Sequence, residues 1–201
     1  MANITKTQGT TILTHQAVTH PGTAVGADQS VTTKLSATIV MFHALIENTA
    51  NTNPGSFSVQ VSASGSGDED WVTVVEFTAT AATAVTEPFT ATEPIGEKVC
   101  TVASTTGFVA TDQVYIIHTT LANSEWAKLE QIVSNTSIDL IDGLTTEQTA
   151  AASDFWSNAE IFVAQLDLSA VGRLRVLFQH EGGTGANVHV KAIMVTGDSI
   201  G

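Results

Sequence analysis

Several short segments of the chain alternate apolar and polar residues, which is the pattern of half-buried β-strands. In residues 57–63 the odd-numbered positions are Phe, Val, Val and Ala, whereas the even-numbered positions are Ser and Gln. Residues 71–77 have similar strand character and follow a loop of Gly, Ser and acidic residues, so the two segments are predicted to pair as a hairpin. Residues 173–180 and 188–196 flank a glycine-rich loop and predict a second hairpin.

Other strands are predicted from short runs of β-branched and aromatic residues. These runs cover residues 38–47, 98–102, 114–118, 137–141 and 160–168. Residues 125–133 are also predicted as a strand, although Trp126, Leu129 and Val133 would fit one face of a helix. Because the strands are regularly spaced and no long amphipathic helix is present, the sequence predicts an all-β fold, namely a jelly-roll-like β-sandwich.

Changes in composition along the chain divide this fold into modules. A stretch rich in Thr, Ala and Glu, with two prolines, covers residues 78–94 and has the character of a connection. We therefore predict a β-sandwich domain formed by residues 35–93 and 159–201, with a small β-module of residues 94–158 inserted into it. Exposed loops tolerate such insertions.

The first 34 residues lack the periodicity of the rest of the chain. Small polar residues dominate there, and the few apolar residues are scattered. Such a segment buries too little apolar surface to fold alone. We predict an extended N-terminal arm over residues 1–34 that orders only against a neighbouring molecule, with Ile4, Ile12, Leu13 and Val18 as its buried anchors.

The charge balance narrows the classes of partner. Seven Lys and Arg face twenty Asp and Glu, so the formal net charge is −13. This excess of acid disfavours binding to nucleic acid or to anionic membranes, because both require clustered cations. No apolar run approaches the length of a membrane span. Cys100 is the only cysteine, which excludes an intramolecular disulfide.

Histidines are the residues that most invite a metal site. There are six of them: His15, His20, His43, His118, His180 and His189. None has the close helical pairing of a metal-binding motif, and no cysteine lies near one. His180 and His189 flank the same predicted loop and are the pair expected to approach each other. Ordinary strand histidines are the simpler interpretation, so we predict neither a metal site nor a cofactor.

Catalytic motifs are missing from the sequence. The chain lacks the GxSxG elbow of serine hydrolases, and Cys100 lies in an apolar run with no base beside it. The acidic residues 68–70 lack the rest of a calcium-binding loop. The glycines of residues 182–185 are not followed by the lysine of a phosphate-binding loop. The sequence therefore predicts no catalytic residues and a non-enzymatic protein.

Residues 102–117 and 125–144 resemble a small β-module common in structural proteins of tailed bacteriophages. The residues that carry this resemblance are Thr106-Gly107-Phe108, Asp112, Val114-Tyr115-Ile116, Glu125 and Ile138–Leu140. The family more often has glycine before the aspartate, where this chain has Thr111. The predicted strands on either side of the module resemble the sandwich domains of phage head decoration proteins and other virion proteins.

What the resemblance implies is a decoration, or cement, protein that binds the outer surface of a phage capsid and stabilises it. The partners it implies are the major capsid protein and further copies of the chain itself, as a homotrimer. An acidic protein suits the outside of the head, away from the phosphates of packaged DNA. Two alternatives remain open: a tail, baseplate or fibre component, and a carbohydrate-binding module that stacks sugars on Trp71, Trp126 and Trp156.

Overall fold

The computed structural model describes seven stretches of the chain. They are residues 9–46, 54–67, 70–80, 85–150, 152–156, 159–180 and 187–198. The chain divides into two compact units, one formed by Met1–His43, Asn53–Thr80 and Ile161–Gly201 and the other by Ala44–Thr52 and Ala81–Glu160. Regular structure in the described stretches is almost entirely β-strand, which confirms the predicted all-β class. They contain no helix of the length and apolarity that crossing a membrane requires.

The strand bounds follow the chain in order. They are β1 (Thr10–Thr19), β2 (Gly22–Val25), β3 (Gln29–Ser30), β4 (Lys34–Ile46), β5 (Ser56–Ser62), β6 (Val72–Thr78), β7 (Thr86–Pro88), β8 (Val99–Thr101), β9 (Gln113–His118), β10 (Glu125–Ser134), β11 (Ser137–Leu140), β12 (Ser153–Trp156), β13 (Ala159–Asp167), β14 (Arg173–His180) and β15 (Asn187–Asp198). A 3₁₀ turn, Leu121–Asn123, lies between β9 and β10. The segment predicted as a strand in spite of its possible helical face is the strand β10.

The first unit is a sandwich whose strand order is that of a jelly roll. One sheet runs β1-β15-β4-β13 and the other runs β2-β14-β5-β6, while the short β3 also pairs with β14. Among the eight main strands, the first pairs with the last, the second with the seventh, the third with the sixth and the fourth with the fifth. This order arises when the two halves of the chain pair along their length and the paired strands then wrap into two sheets. The predicted jelly-roll-like sandwich is thus confirmed.

Alternate apolar residues of the two sheets form the sandwich core. The ring of Phe57 lies 4.9 Å from that of Phe178 and 6.1 Å from that of Phe162, and Phe162 stacks on Phe77 at 5.3 Å. These contacts tie β5 and β6 to β13 and β14. The fully buried side chains of the core include Ile39, Met41, Phe57, Val59, Leu174, Val176, Phe178, Val188, Val190 and Ala192.

The first predicted hairpin is confirmed and the second is wrong. β5 pairs with β6, with Phe57 opposite Phe77 and Val59 opposite Val75. By contrast, β14 pairs with β2 and β5, whereas β15 pairs with β1 in the other sheet. Alternation shows which face of a strand is buried, but it does not select the neighbouring strand. β14 and β15 are consecutive in the sequence, which suggested a hairpin, but between them the chain passes from one sheet to the other.

The described part of the predicted arm belongs to the sandwich. β1 pairs with β15, and Ile12, Leu13 and Val18 are 2%, 1% and 6% exposed in the structure. The prediction that these residues wait for a neighbouring molecule is therefore wrong, and Ile4 lies outside the described residues. The sequence did not predict β1 as a strand because the register of β1 with β15 shifts at two places, so its buried residues do not alternate.

The second unit is a six-stranded sheet that closes into a small barrel. Its order is β7-β12-β9-β10-β11-β8. The two end strands are joined by backbone hydrogen bonds from Thr90 N to Thr101 O (3.0 Å) and from Ala103 N to Pro88 O (3.2 Å). Because β7 is one of these end strands, the barrel begins before residue 94, where the sequence placed the boundary of the inserted module.

The barrel has a core of its own. Phe89 stacks on Phe155 with ring centres 4.5 Å apart, which packs the chain after β7 against β12. The buried core residues are Phe89, Cys100, Val102, Phe108, Val114, Ile116, Leu129, Ile138, Leu140, Leu144 and Phe155. An independent core and a closed sheet allow the barrel to occupy one long connection of the sandwich.

Leu13→Ala tests whether β1 is part of the folded sandwich. Removing this buried side chain leaves a cavity, so we expect the free energy of unfolding to fall by ~3 kcal/mol in urea denaturation of the isolated protein. Thr14→Ala, at the adjacent exposed position, is the control and is expected to change it by less than ~0.5 kcal/mol. Equal stability of the two variants would instead support the prediction of an arm that orders only on assembly.

Candidate functional site

The turn before β9 contains residues that carry the resemblance to the phage module. Gly107 has φ +91°, and a Cβ atom there would lie 2.7 Å from a methyl group of Val85, so the position requires glycine. Asp112 closes the turn, because its carboxylate accepts the backbone N–H of Val109 at 2.8 Å. The residue before it, Thr111, has φ +77°. This is the position where the family more often has glycine, and a β-branched residue is strained there.

Glu125, another residue of the resemblance, fixes a loop of the barrel. Its carboxylate accepts the backbone N–H of Thr145 at 2.9 Å, the hydroxyl of Thr146 at 3.1 Å and the amide of Gln148 at 3.0 Å. The hydroxyl of Thr145 also donates to it. Glu125 is thus occupied by loop donors, which is a structural role and not that of a general acid or base.

A polar cluster in the described part of the sandwich surrounds Arg173. The guanidinium contacts the carboxylates of Asp28 and Asp70 at 3.2 Å each, and its Nε donates to the carbonyl of Ser64 at 3.0 Å. Ser62 donates its hydroxyl to Asp70 at 2.5 Å, and this bond lowers the pKa of the Asp70 carboxyl. The cluster fastens the β5–β6 connection to β14.

Sequence reasoning missed Arg173 as a structural residue. The only signal is an arginine directly before the alternating apolar residues of β14, where a strand enters the core. Its side chain is only 10% exposed, so the guanidinium needs partners from several segments, and those partners are distant in sequence. A search for short motifs cannot detect such a site.

The tryptophans proposed as sugar platforms are engaged within the chain. The ring of Trp71 lies 4.7 Å from the Arg173 guanidinium and 4.2 Å from that of Arg175. Trp126 packs against Tyr115 at 4.7 Å. The side chain of Trp156 lies outside the described part of the structure. Neither described ring is presented as a bare stacking face of the kind that sugar binding uses.

The sandwich has an open groove of about 670 Å³ beside β4 and β13. It is lined by Leu35, Ser36, Ala37, Thr38, Gln165, Leu166, Asp167 and Ser169. Asp167 accepts the backbone N–H of Ser169 at 2.9 Å, and this bond lowers the pKa of its carboxyl. The lining is rich in hydroxyl groups but has no aromatic residue, and its one carboxylate is held by the chain itself.

The histidines pair differently from the sequence expectation. His189 lies beside His15, with ring centres 5.7 Å apart, and His180 lies beside His20 at 5.6 Å. The expected pair, His180 with His189, is divided between the two sheets because β14 and β15 do not form a hairpin. The described residues contain no group of three or more His, Cys, Asp or Glu placed to hold a metal ion.

Burial controls the protonation of three histidines. It lowers the pKa of His43 to about 4 and that of His189 to about 4. For His15, burial together with the neighbouring His189 and Lys191 also lowers the pKa to about 4. These imidazoles are neutral at pH 7, whereas an exposed imidazole titrates near 6.5.

The thiol of Cys100 is not a nucleophile in the folded protein. Its side chain is completely buried in the barrel core, and burial raises its pKa to about 12, with nearby carboxylates adding to the effect. A thiol attacks as the thiolate, and a thiol with this pKa stays protonated at neutral pH. The interpretation of Cys100 as a core residue therefore fits the structure.

Comparison with known proteins gives distant similarities only. No family model matches this chain, and no curated protein matches it significantly in sequence. Among solved structures it is similar to the K3 cleaved adhesin domain of Lys-gingipain from Porphyromonas gingivalis, with 12% identity, coverage of 94% of this chain and 72% of that chain, and a TM-score of 0.34.

Two viral structures show similarities that are weaker still. One is VP17, a capsid protein of bacteriophage P23-77, with 8% identity, coverage of 98% and 100% of the two chains, and a TM-score of 0.22. The other is the VP2 subviral particle of infectious bursal disease virus, with 9% identity, coverage of 98% of this chain and 41% of that chain, and a TM-score of 0.23. TM-scores this low do not transfer a function.

Thr111→Gly tests the strained turn of the barrel. Glycine adopts positive φ without the steric cost of ~1–2 kcal/mol that an L side chain incurs, and its extra entropy in the unfolded chain offsets roughly half of that gain. We expect the free energy of unfolding to rise by about 0.5–1 kcal/mol in urea denaturation. The control is Thr136→Gly, in a turn without positive φ, where glycine should lower the free energy of unfolding. If both variants lower the free energy of unfolding, Thr111 is not strained.

Acidification should destabilise the sandwich before the carboxylates titrate. His43 and His189 are neutral in the fold until about pH 4 but gain a proton near pH 6.5 when unfolded. Their contribution to stability is complete above pH 6.5 and is lost as the pH falls from 6.5 to 4, by up to ~1.4 kcal/mol per pH unit for each histidine. Urea denaturation at pH 7.5, 6.5, 5.5 and 4.5 measures this slope.

His43→Gln serves as the comparison for this pH series. It removes one of the titrating groups, so the slope between pH 6.5 and 4.5 should decrease by about one proton. Constant stability of the unaltered protein over this interval would show that the histidines are not held neutral by the fold.

Proposed function

We propose that the chain is a non-enzymatic structural protein of a tailed-phage virion, and specifically a decoration protein. In this proposal it binds the outer surface of the capsid as a homotrimer, with the major capsid protein as its partner. Bridging of neighbouring capsomers would bury additional surface in the assembled state only, which stabilises the capsid by mass action.

The observation that carries the proposal is the construction of the barrel. The residues that resemble the phage module are the ones that build it: Phe108, Val114, Tyr115, Ile116, Ile138 and Leu140 are buried. Gly107 and Asp112 shape the turn before β9, and Glu125 holds the 145–148 loop. The resemblance thus concerns residues that determine a fold, which supports the same module here.

The jelly roll agrees with this proposal but does not single it out. Double-sheet jelly rolls occur in viral capsid proteins and also in lectins, and a fold by itself does not specify a function. The engaged rings of Trp71 and Trp126 favour the virion role over sugar stacking.

The distribution of charge supports the sandwich as the attachment unit. The barrel unit has twelve acidic residues and two lysines, a net charge of −10, whereas the sandwich unit has eight acidic and five basic residues, a net charge of −3. Many copies on a lattice repel one another least where the less charged unit forms the contacts. The strongly acidic barrel is better suited to contact with solvent.

Capsids assembled without this chain provide the test. We expect them to lose resistance to heat and to osmotic shock, and we expect added protein to co-sediment with them and to restore it, because the bound chain bridges capsomers. Unchanged resistance without the protein would overturn the cementing role. Copy number distinguishes the tail alternative, since a lattice protein scales with the major capsid protein and a baseplate component is present in few copies.

Matched variants test the attachment unit separately. Val74 in the sandwich is 46% exposed and Val109 in the barrel is 62% exposed. If the sandwich forms the contacts, Val74→Asp should weaken co-sedimentation, while Val109→Asp should bind as the unaltered protein does. The reverse result would assign attachment to the barrel and leave the cementing role in place.

A further inference from the structure

Five of the six histidines belong to the sandwich unit, and two of them meet across the β1–β15 pair. Residue 17 lies opposite His189 and Gln16 lies opposite Val190, so the register brings His15 diagonally next to His189. The two ring centres are 5.7 Å apart and the rings are inclined at 63°. The partner strands hold both imidazoles in place, so their approach is a property of the sheet.

We propose that His15 and His189 form a binding site for a divalent transition metal ion such as Zn²⁺ or Cu²⁺. Imidazole nitrogen is a preferred ligand for these ions. Two imidazoles bound to one tetrahedral ion at Zn–N distances of about 2.1 Å have ring centres roughly 5 Å apart. The observed separation differs from this value by less than an ångström, which small side-chain rotations cover.

The protonation state of the pair fits metal binding. An imidazole coordinates a metal in its neutral form, and burial keeps the pKa of both rings at about 4. Protons therefore do not compete with the metal at neutral pH. The two histidines supply two protein ligands, and water molecules would supply the remaining coordination positions of the ion.

Lys191 is the charged neighbour that opposes binding. It lies two residues after His189 on β15, and its ammonium group is close enough to His15 to lower the pKa of that ring. The same repulsion acts on a bound cation. Removal of this charge should therefore tighten metal binding. If the two rings were only in packing contact, removal of the charge would have no effect on metal binding.

Isothermal titration of the metal-free protein with Zn²⁺ at pH 7.5 tests the proposal. We expect one ion per chain, with binding weakened roughly tenfold or more in His15→Gln and in His189→Gln. Lys191→Gln should bind about two- to fivefold more tightly. His118→Ala, in the barrel, is the control and should bind Zn²⁺ as the unaltered protein does.

Thermal denaturation in EDTA first confirms that each variant is folded. If His189→Gln unfolds, His15→Gln and Lys191→Gln are sufficient for the test, because His15 is the more exposed of the two ligands. Unchanged Zn²⁺ binding in His15→Gln would overturn the proposal. So would loss of binding in His20→Gln with retention in His15→Gln, because the ion would then lie at the other histidine pair. In the Cu²⁺-loaded protein, electron paramagnetic resonance should show coupling to two nitrogens, and coupling to none would equally refute it.

Discussion

Pairing of the first strand of the sandwich with the last is the constraint from which the rest of the structure follows. β1 and β15 are far apart in the sequence, and their pairing encloses all of the other strand pairs of the sandwich. The successive pairs of the jelly roll are nested inside this one. It buries Ile12, Leu13 and Val18, and it also places His15 beside His189. Such non-local pairing incurs a large cost in chain entropy, which core burial must offset.

The barrel fits into this arrangement because it returns the chain close to where the chain enters it. β7 and β12 are its first and last strands, and they are neighbours, with Pro88 opposite Asp154. A closed sheet with its own core needs no strand from the sandwich to complete its hydrogen bonds. Insertion between β6 and β13 therefore leaves the pairing of the sandwich strands intact, as expected for an insertion whose ends lie close together.

Charged residues of this acidic chain serve two different purposes. A few carboxylates are used inside the fold: Asp28 and Asp70 hold Arg173, and Glu125 holds the 145–148 loop. Most of the others give the barrel unit its net charge of −10. The internal ones organise connections between strands, while the net charge determines which surfaces can approach other acidic copies or a capsid.

Most of the strands and the class of fold could be predicted from the sequence, because alternation and β-branched runs report directly which side chains a sheet can bury. It located β5 with β6, and it identified the barrel residues Gly107, Asp112 and Glu125 through their resemblance to a phage module. The folded chain was needed to show that β1 completes the core and that β14 and β15 belong to different sheets. It was also needed to show the partners of Arg173 and the approach of His15 to His189. The period of a strand identifies its buried face, whereas its partner depends on how the whole chain packs. In β1 the register is irregular, so even the alternation of buried and exposed residues is lost.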